Sequence, residues 1–561
     1  MNFLKLILPE PKDITNHKAS FKENKKLSKI PINSYPIKCH NGVFLGKNEE
    51  NIISYKGIPF AKPPVKQLRW HPPVDCDNSE DIYEAFHFAK SPIQTNDPGE
   101  KGSFYEIGED CLYLNIWKNN DNIKNKAVMV FVHGGAFGWG ATNDPLYNGH
   151  NFVKAHKDII IVTITYRVSI FGFLDLTKIK GGESYKESPN LGLLDQIQAL
   201  KWVNKNIENF GGDKNNVTIF GESAGALSVT VLPLIKGSKG LFKRVISQSG
   251  TFVWGINKED GEPLVEKFIT EVRKYNPHFD INYLLQLPEK DLIKINSNLN
   301  SYCLPPMRDG YVVPKDCFKA IEDGAYDGLD ILIGTNSDEV NYWLIECGDY
   351  YYLFKFFLKV LLENIIKYRV DENQKNIFEK YKKIQPEKPN ENFLSDLFFR
   401  VPAVKIADIH SKKNGNVFLY YWTYPSAVPN YGACHSIELF YVFNNMDERH
   451  KYGDYWSKMV EVTQEMWSNF AKNGNPSTRV YKWDKYTEKE KNCMFLGEEI
   501  GIKKNIFKER DKIVEPLIYK YIPYDYSILS LNVPFVWKSL FFICAIFVLI
   551  VGFLIRKKIS K

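Results

Sequence analysis

The chain has 561 residues, of which 44% are hydrophobic and 25% charged, a composition that excludes disordered, collagen-like and coiled-coil proteins. Its formal net charge of +7 comes from the ends, because residues 1–36 carry a net +4, the last six residues another +4, and the 519 residues between them −1. A near-neutral body lacks the basic surface that nucleic-acid binding requires, so no nucleic-acid partner is expected.

The first 35 residues are polar, rich in Lys and Asn, and without periodicity, which predicts a mobile N-terminal extension over residues 1–35. The opening stretch MNFLKLIL is interrupted by Lys5 and followed by Pro9, so it makes a poor signal peptide. Residues 36–526 contain no repeat, no low-complexity tract and no long linker, and we interpret them as one globular body.

Short apolar runs alternate with helical patterns in the best-defined part of this body. The runs that predict buried strands are residues 127–132, 159–165, 217–220, 245–248 and 331–333. Residues 191–209 have the apolar spacing of a helix, and a second helix is expected from Ala224 onward. Such alternation is typical of a mostly parallel sheet covered by helices on both faces, with reactive groups at the carboxyl ends of the strands.

A five-residue motif follows the third predicted strand. Residues 221–225 read GESAG, which fits the pattern G-x-S-x-G. The pattern alone is weak, but here an apolar strand precedes it and a helix-forming run follows it. This context predicts a nucleophile elbow, a strained turn that presents the Ser223 hydroxyl at the edge of the sheet.

A glycine-rich segment closes the first predicted strand, where residues 133–137 read HGGAF. When a serine attacks an ester, the oxyanion that forms needs hydrogen-bond donors, and backbone N–H groups beside glycines can supply them. The predicted donors of this oxyanion hole are Gly135, Ala136 and Ala224, the residue after the nucleophile.

Several longer segments carry a family resemblance. They are residues 57–64 (GIPFAKPP), 109–115 (EDCLYLN), 166–174 (YRVSIFGFL), 190–203 (NLGLLDQIQALKWV), 210–213 (FGGD) and 247–250 (SQSG). With the elbow, they make the chain resemble the type-B carboxylesterases, the α/β-hydrolase group that includes cholinesterases, lipases and the adhesive neuroligins. The resemblance implies one α/β-hydrolase domain over residues 36–526 and no cofactor.

The same resemblance implies a catalytic triad of Ser, Glu and His in that chain order. Residues 334–339 (GTNSDE) resemble the acid motif, whose Glu falls on Glu339, and residues 432–435 (GACH) resemble the histidine motif, which ends at His435. In the implied roles, His435 takes the Ser223 proton and returns it to the leaving alcohol, while Glu339 holds the imidazole tautomer.

Three further residues near the implied triad leave alternatives open. Asp338 is a competing acid, although its neighbour Glu339 fits the family position. Glu222 and Ser249 resemble positions that some relatives use to orient the histidine, and structural polarity explains them equally well. The sequence contains no H-E-x-x-H motif, no C-x-x-C pair and no phosphate-binding loop, so no metal is expected.

The sequence differs from the family pattern at two places, one relevant to the cellular compartment of the protein and one to its substrate. Extracellular relatives commonly pair the Cys of EDCLYLN with an upstream Cys, where this chain has Ser91, although Cys111 could still pair with Cys76. Cholinesterases hold a quaternary ammonium on a Trp in the loop before that segment, and residues 97–105 contain none. We therefore expect a general esterase for a small-molecule ester with an apolar acyl group.

Aromatic residues near the expected site leave the form of the pocket open. Phe104 or Tyr105 could substitute for the missing Trp. Phe137 and Trp139, in and beside the HGGAF segment, either line an apolar pocket or belong to the core.

An apolar run lies near the C-terminus. Residues 539–555 are 17 residues without a charge, or about 25 Å of helix, with Trp537 and Lys538 before them and basic residues at 556–558 after them. This pattern predicts a transmembrane helix over 539–555, reached through a juxtamembrane linker at 527–538 and followed by a basic tail at 556–561.

The side of the membrane that the body faces is left open. Basic residues after the span favour a cytosolic tail and a lumenal or extracellular body. The poor signal peptide favours a cytosolic body. So does the presence of only one glycosylation sequon, residues 216–218, which lies in a predicted buried strand.

The favoured hypothesis is a membrane-anchored serine hydrolase that cleaves carboxylic esters through a covalent acyl-enzyme. An acyltransferase would use the same residues, because an alcohol or amine could accept the acyl group in place of water. A neuroligin-like adhesion protein is the alternative from another class. It predicts a lost nucleophile, whereas this chain retains Ser223, Glu339 and His435.

Overall fold

The computed structural model of the chain describes residues 22–94, 106–299, 304–345 and 376–519. The predicted transmembrane helix, its linker and the basic tail lie outside these residues, as do Phe104 and Tyr105. Within the described ranges, no helix combines the length and the apolar character needed to cross a bilayer.

The strands of the described residues form one large sheet and one small one. In chain order, their bounds are β1 (Lys26–Leu27), β2 (Tyr35–Cys39), β3 (Asn41–Glu49), β4 (Ile52–Pro59), β5 (Ser79–Glu84), β6 (Ser91–Pro92), β7 (Ile107–Gly108), β8 (Tyr113–Asn119), β9 (Lys126–Val132), β10 (Ile159–Ile164), β11 (Gly212–Glu222), β12 (Arg244–Gln248), β13 (Asp330–Asn336), β14 (Asn416–Trp422), β15 (Asn492–Leu496) and β16 (Gly501–Lys504). Strands β6 and β7 pair only with each other.

The large sheet is parallel at its centre and mixed at its margins. Its order is β1-β5-β3-β4-β8-β10-β9-β11-β12-β13-β14-β15-β16, and β2 pairs with β3. All pairings from β10 to β15 are parallel, whereas β8 and β16 run antiparallel to their inner neighbours. The carboxyl ends of β9, β11, β12 and β13 therefore meet at one edge of the sheet, where the predicted catalytic segments begin.

The helices of the described residues lie between and beyond these strands. Their bounds are α1 (His150–Ala155), α2 (Ser169–Phe173), α3 (Leu191–Asn206), α4 (Ala224–Val231), α5 (Lys258–Arg273), α6 (Ile281–Gln286), α7 (Glu289–Asn298), α8 (Cys317–Glu322), α9 (Asn341–Ile345), α10 (Ile377–Ile384), α11 (Pro389–Ser395), α12 (Val401–Lys412), α13 (Leu439–Phe443), α14 (Trp456–Asn473) and α15 (Lys508–Ile518). A π-helix, Asp396–Arg400, joins α11 to α12.

Helices cover the central strands on both faces. Every residue of β9 is buried, and alternate residues enter different clusters, with Val128, Val130 and Val132 on one side and Met129 and Phe131 on the other. Helices α3, α4 and α12 pack into the first cluster, and α1, α13 and α14 into the second. Double burial explains why these strands read as continuous apolar runs rather than as alternating ones.

The predicted elements occur, with shifted ends. Strand β11 begins at Gly212, five residues before the apolar run, because Gly212 pairs with Lys126 of β9 ahead of a register irregularity that ends at Val217. The predicted helix 191–209 ends earlier, at Asn206. A 3₁₀ turn over Ile207–Phe210 follows it and stops at Gly211, whose φ of 90° ends the helical path.

The described end of the predicted N-terminal extension is attached to the body. Lys26 and Leu27 pair with Tyr83 and Ile82 of β5. The Asn24 amide donates to the carbonyl oxygens of Lys56 and His87 at 2.8 and 2.9 Å. Residues 1–21 lie outside the described ranges.

The cysteines that the structure describes are free thiols, including Cys76 and Cys111. The Cys111 side chain is buried, and the Cys76 thiol lies 3.7 Å from the Pro59 carbonyl oxygen. Ser91, at the family position of the upstream cysteine, is buried and hydrogen-bonded to Asn143.

Candidate active site

Ser223 stands in a sharp turn between β11 and α4. Its φ of 57° and ψ of −120° are a combination that L-residues rarely adopt, at a cost of about 1–3 kcal/mol. The turn is held because Ser223 N–H donates to the Gln248 carbonyl oxygen at 2.9 Å. A side chain at Gly225 would place its Cβ 1.9 Å from the Val132 carbonyl oxygen, so the second glycine of the motif is sterically required.

The segment 133–137, which we call the oxyanion loop, lies directly beside Ser223. A Cβ built on Gly134 would lie 3.1 Å from the Ser223 Cβ. Gly135, Ala136 and Phe137 have successive φ values of 103°, 51° and 60°, which turn the backbone sharply. Within the described residues, the N–H groups of Gly135, Ala136 and Ala224 have no hydrogen-bond acceptor in the protein.

His435 and Glu339 form a short, buried contact. His435 Nδ1 lies 2.6 Å from Glu339 Oε2, although 96 residues separate them in the chain. Both side chains are at most 4% exposed. The other oxygen, Glu339 Oε1, accepts from the Asn336 N–H at 2.8 Å, which fixes the carboxylate at the end of β13. This arrangement fixes the proton on Nδ1 and leaves Nε2 as the nitrogen that can accept a proton.

Asp338, the competing acid, is directed elsewhere. Its Oδ1 lies 3.1 Å from Lys388 Nζ, and its Oδ2 accepts from the Ala433 N–H at 3.2 Å. Of the two adjacent carboxylates, only Glu339 contacts His435 in the described structure.

Glu222 lies on the other side of the imidazole. Its Oε1 is 3.1 Å from His435 Nε2, but the approach is too oblique for a hydrogen bond. The same oxygen accepts a hydrogen bond from Ser436 Oγ at 2.5 Å. The described structure contains no hydrogen bond between His435 and Ser223 Oγ.

Burial and charge displace the titrations of this cluster. Burial raises the pKa of Glu222 to about 8, against the opposing effect of His435. Burial alone would lower the pKa of His435, but the carboxylates of Glu222 and Glu339 outweigh it and raise that pKa to about 9. The imidazole and the Glu222 carboxyl thus compete for protons between about pH 8 and pH 9.

A third buried carboxylate of the site, Glu438, was not singled out from the sequence. It accepts from Asn336 Nδ2 at 2.6 Å and from Gln248 Nε2 at 3.0 Å, and burial raises its pKa. Asn336 also donates to the Cys434 carbonyl oxygen at 2.8 Å, so Glu438 supports the segment that carries His435. Its one sequence signal is an acid within the apolar run 437–440.

Ser249 lies beneath the elbow at the end of β12. It is fully buried, has a φ of 55°, and its N–H donates to the Gly334 carbonyl oxygen at 2.9 Å. Within the described residues, its hydroxyl has no hydrogen-bond partner. The geometry therefore places Ser249 near the site without an aligned contact to His435.

Three aromatic rings surround His435, and we call them the aromatic wall: Trp343, Phe399 and Tyr342. Their ring centroids lie 4.9, 5.1 and 6.2 Å from that of the imidazole. Phe399 projects from the π-helix and packs against Trp254 at 4.8 Å. No local sequence pattern indicated these contacts, because they join segments far apart in the chain.

Phe137 belongs to the core. It is 1% exposed and packs against Phe173 at 4.8 Å. Trp139 is half-buried beside the oxyanion loop. Among the described residues, no group of His, Cys, Asp and Glu side chains could hold a metal ion.

Known proteins resemble this chain over most of its length. A sequence model of the carboxylesterase family matches residues 34–514. The para-nitrobenzyl esterase of Bacillus subtilis (strain 168) is 34% identical over 492 residues, covering 85% of this chain and 97% of that enzyme. Acetylcholinesterase 4 of Caenorhabditis briggsae is 31% identical over 525 residues, covering 81% and 83%. The solved structure of the Geobacillus stearothermophilus carboxylesterase EST55 has a TM-score of 0.76 at 30% identity, covering 85% and 99%.

Proposed function

The chain belongs to the carboxylesterase family, and from that premise we propose that it hydrolyses carboxylic esters through an acyl-enzyme on Ser223. The observation that carries the proposal is the buried 2.6 Å contact between His435 and Glu339, on the sheet edge that also presents Ser223. The three residues also follow the chain order Ser, Glu, His that is typical of the family.

In the proposed reaction, Ser223 Oγ attacks the ester carbonyl carbon while His435 Nε2 takes the hydroxyl proton. The N–H groups of Gly135, Ala136 and Ala224 stabilise the oxyanion. As the intermediate collapses, the alcohol leaves with the proton from His435. Water then attacks the acyl-enzyme, giving one proton to His435, and the acid leaves as Ser223 regains its hydrogen.

The first proton transfer requires a hydrogen bond between His435 Nε2 and Ser223 Oγ, which the described structure does not contain. Catalytic hydrogen bonds are often long or misaligned without substrate and tighten in the complex. Glu339 stays on Nδ1 throughout and stabilises the imidazolium that forms.

We propose an ester with an apolar acyl group as the substrate class. The aromatic wall supports this, because it offers apolar surface beside the imidazole, and the general esterase expectation follows from residues 97–105, which contain no Trp. We also propose that residues 539–555 anchor the enzyme in a membrane, which rests on their uncharged sequence and basic flank.

Hydrolysis of p-nitrophenyl esters from acetate to decanoate, by the wild type beside Ser223→Ala, tests the proposal. We expect activity in the wild type and a loss of several powers of ten in the variant. The acyl chain length that is hydrolysed fastest then indicates the length of the acyl pocket. Activity that survives Ser223→Ala would refute the assignment of the nucleophile.

Labelling with a fluorophosphonate separates the remaining outcomes. A wild type that is labelled at Ser223 but inert to every ester would indicate an acceptor other than water, as in an acyltransferase. A wild type that is neither active nor labelled would favour the adhesion hypothesis over the esterase.

A further inference from the structure

Ser436, the residue after His435, adopts an unfavourable backbone conformation. Its φ is 68°, in the left-handed region that costs a residue other than glycine about 1 kcal/mol or more. In this conformation, its Oγ lies 2.5 Å from Glu222 Oε1 and donates a hydrogen bond across 214 residues of sequence. Strain that persists in a well-packed segment indicates a constraint from the surroundings.

The oxygen that Ser436 contacts is also the one nearest to the imidazole. Glu222 Oε1 lies 3.1 Å from His435 Nε2, without the alignment of a hydrogen bond. Within the described residues, Ser436 is the one side chain that donates an aligned hydrogen bond to the Glu222 carboxylate. Glu222 is 2% exposed, so bulk water does not take over this function.

We propose that Ser436 is a positioning residue of the esterase reaction, whose hydroxyl favours the ionised form of Glu222 and fixes its carboxylate beside His435. The inference rests on the proposed function, because it assigns a consequence to the proton transfer at Nε2. A charged Glu222 stabilises the imidazolium that forms when Ser223 gives up its proton. A protonated Glu222 does not.

The groups around Glu222 determine how strongly the hydrogen bond from Ser436 affects its ionisation. Burial favours the neutral carboxyl, and a donor to the charged form opposes burial. Among the described residues, the one cation that faces Glu222 is protonated His435, because the other titratable groups near it are neutral or negatively charged. These groups are Glu339 and Glu438, with the phenols of Tyr147 and Tyr420.

Removal of the Ser436 hydroxyl should therefore raise the pKa at which Glu222 ionises. We expect Ser436→Ala to move the acid limb of the kcat/KM profile upward by about one pH unit, since hydrogen bonds to charged groups are the stronger ones. On the acid limb, kcat/KM of the variant should be about tenfold below that of the wild type, and the difference should become smaller towards alkaline pH. Ser436→Gly, which relieves the positive φ, should show the same shift with a more stable fold.

Glu222→Gln supplies the matched background, since the amide keeps the shape of the carboxyl but does not ionise. In Glu222→Gln, the further change Ser436→Ala should leave the pH profile unmoved. An unshifted acid limb in the single variants would refute the inference, as would an equal shift in the Glu222→Gln background. Fluorophosphonate labelling of Ser223 in the same samples reports on the proposed function separately.

Discussion

At the scale of single residues, the site depends on which of two adjacent carboxylates turns towards the imidazole. Glu339 contacts His435 Nδ1 and is fully buried, whereas Asp338 pairs with Lys388 near the surface. The family motif had indicated Glu339, but the residues themselves are chemically alike. The course of the backbone after β13 gives the two residues different roles, because the Glu339 side chain points to His435 and the Asp338 side chain points to Lys388.

Glu339→Gln tests this residue. The amide has nearly the same shape, but it can donate to Nδ1 and so favours the wrong tautomer. We expect kcat to fall by about 10⁴-fold, as for the matching change in other triads. The fall in kcat is measured with the p-nitrophenyl ester that the wild type hydrolyses fastest. Asp338→Asn is the control, and a comparable loss in that variant would contradict the assignment.

At the scale of elements, the π-helix Asp396–Arg400 links α15, the last described helix, to the aromatic wall. Asp396 is 1% exposed and pairs with Arg400 at 2.6 Å and with Arg510 of α15 at 2.8 Å. The two guanidinium groups outweigh burial and lower the pKa of Asp396. The same π-helix places Phe399 against His435, so the position of α15 bears on the site.

Removal of Arg510 breaks two charged hydrogen bonds and leaves the buried Asp396 carboxylate with one guanidinium, that of Arg400. We expect Arg510→Ala to lower the free energy of unfolding by about 3 kcal/mol. Lys512→Ala, on the same helix, breaks only an exposed pair with Glu509 and should cost less than about 0.5 kcal/mol. Urea unfolding of both variants measures the difference, and equal effects would argue against the cluster.

Other element contacts show why part of the site escaped the sequence. The elbow was predictable, because its glycines and serine form a local motif between an apolar strand and a helix-forming run. The structure adds the reason for the second glycine, since a side chain at Gly225 would clash with Val132. The hydrogen bond from Ser436 to Glu222 and the packing of Phe399 on His435 were not. They depend on how separate loops meet above the sheet, and no periodicity or spacing encodes that.

At the scale of the whole molecule, the predicted membrane anchor lies outside the part of the chain that matches the carboxylesterase family. The family match ends at residue 514, and α15 ends at Ile518. The proposed anchor at 539–555 therefore begins about twenty residues after the last described helix. Removing it should leave the catalytic body intact.

A truncation after residue 526 tests the anchor. The full chain should stay in the membrane fraction after alkaline carbonate washing, and the truncated chain should be released with its esterase activity retained, because the apolar run supplies the affinity for lipid. Replacing two central apolar residues with Asp is the matched control for length. Release of the full chain by carbonate alone would refute the anchor, and protease protection of the body then reports which side it faces.

The sequence by itself determined the family, the strand–helix alternation and the order of the catalytic segments, and the family resemblance is confirmed. Local sequence patterns predict those properties. A strand buried on both faces requires a continuous apolar run, and the strained turn of the elbow requires small residues on either side of the serine. Only the tertiary structure decided that Phe137 is core, that Phe399 meets His435, and that Ser436 holds Glu222. Such contacts join residues tens to hundreds of positions apart, so they exist only once the sheet has brought the loops together.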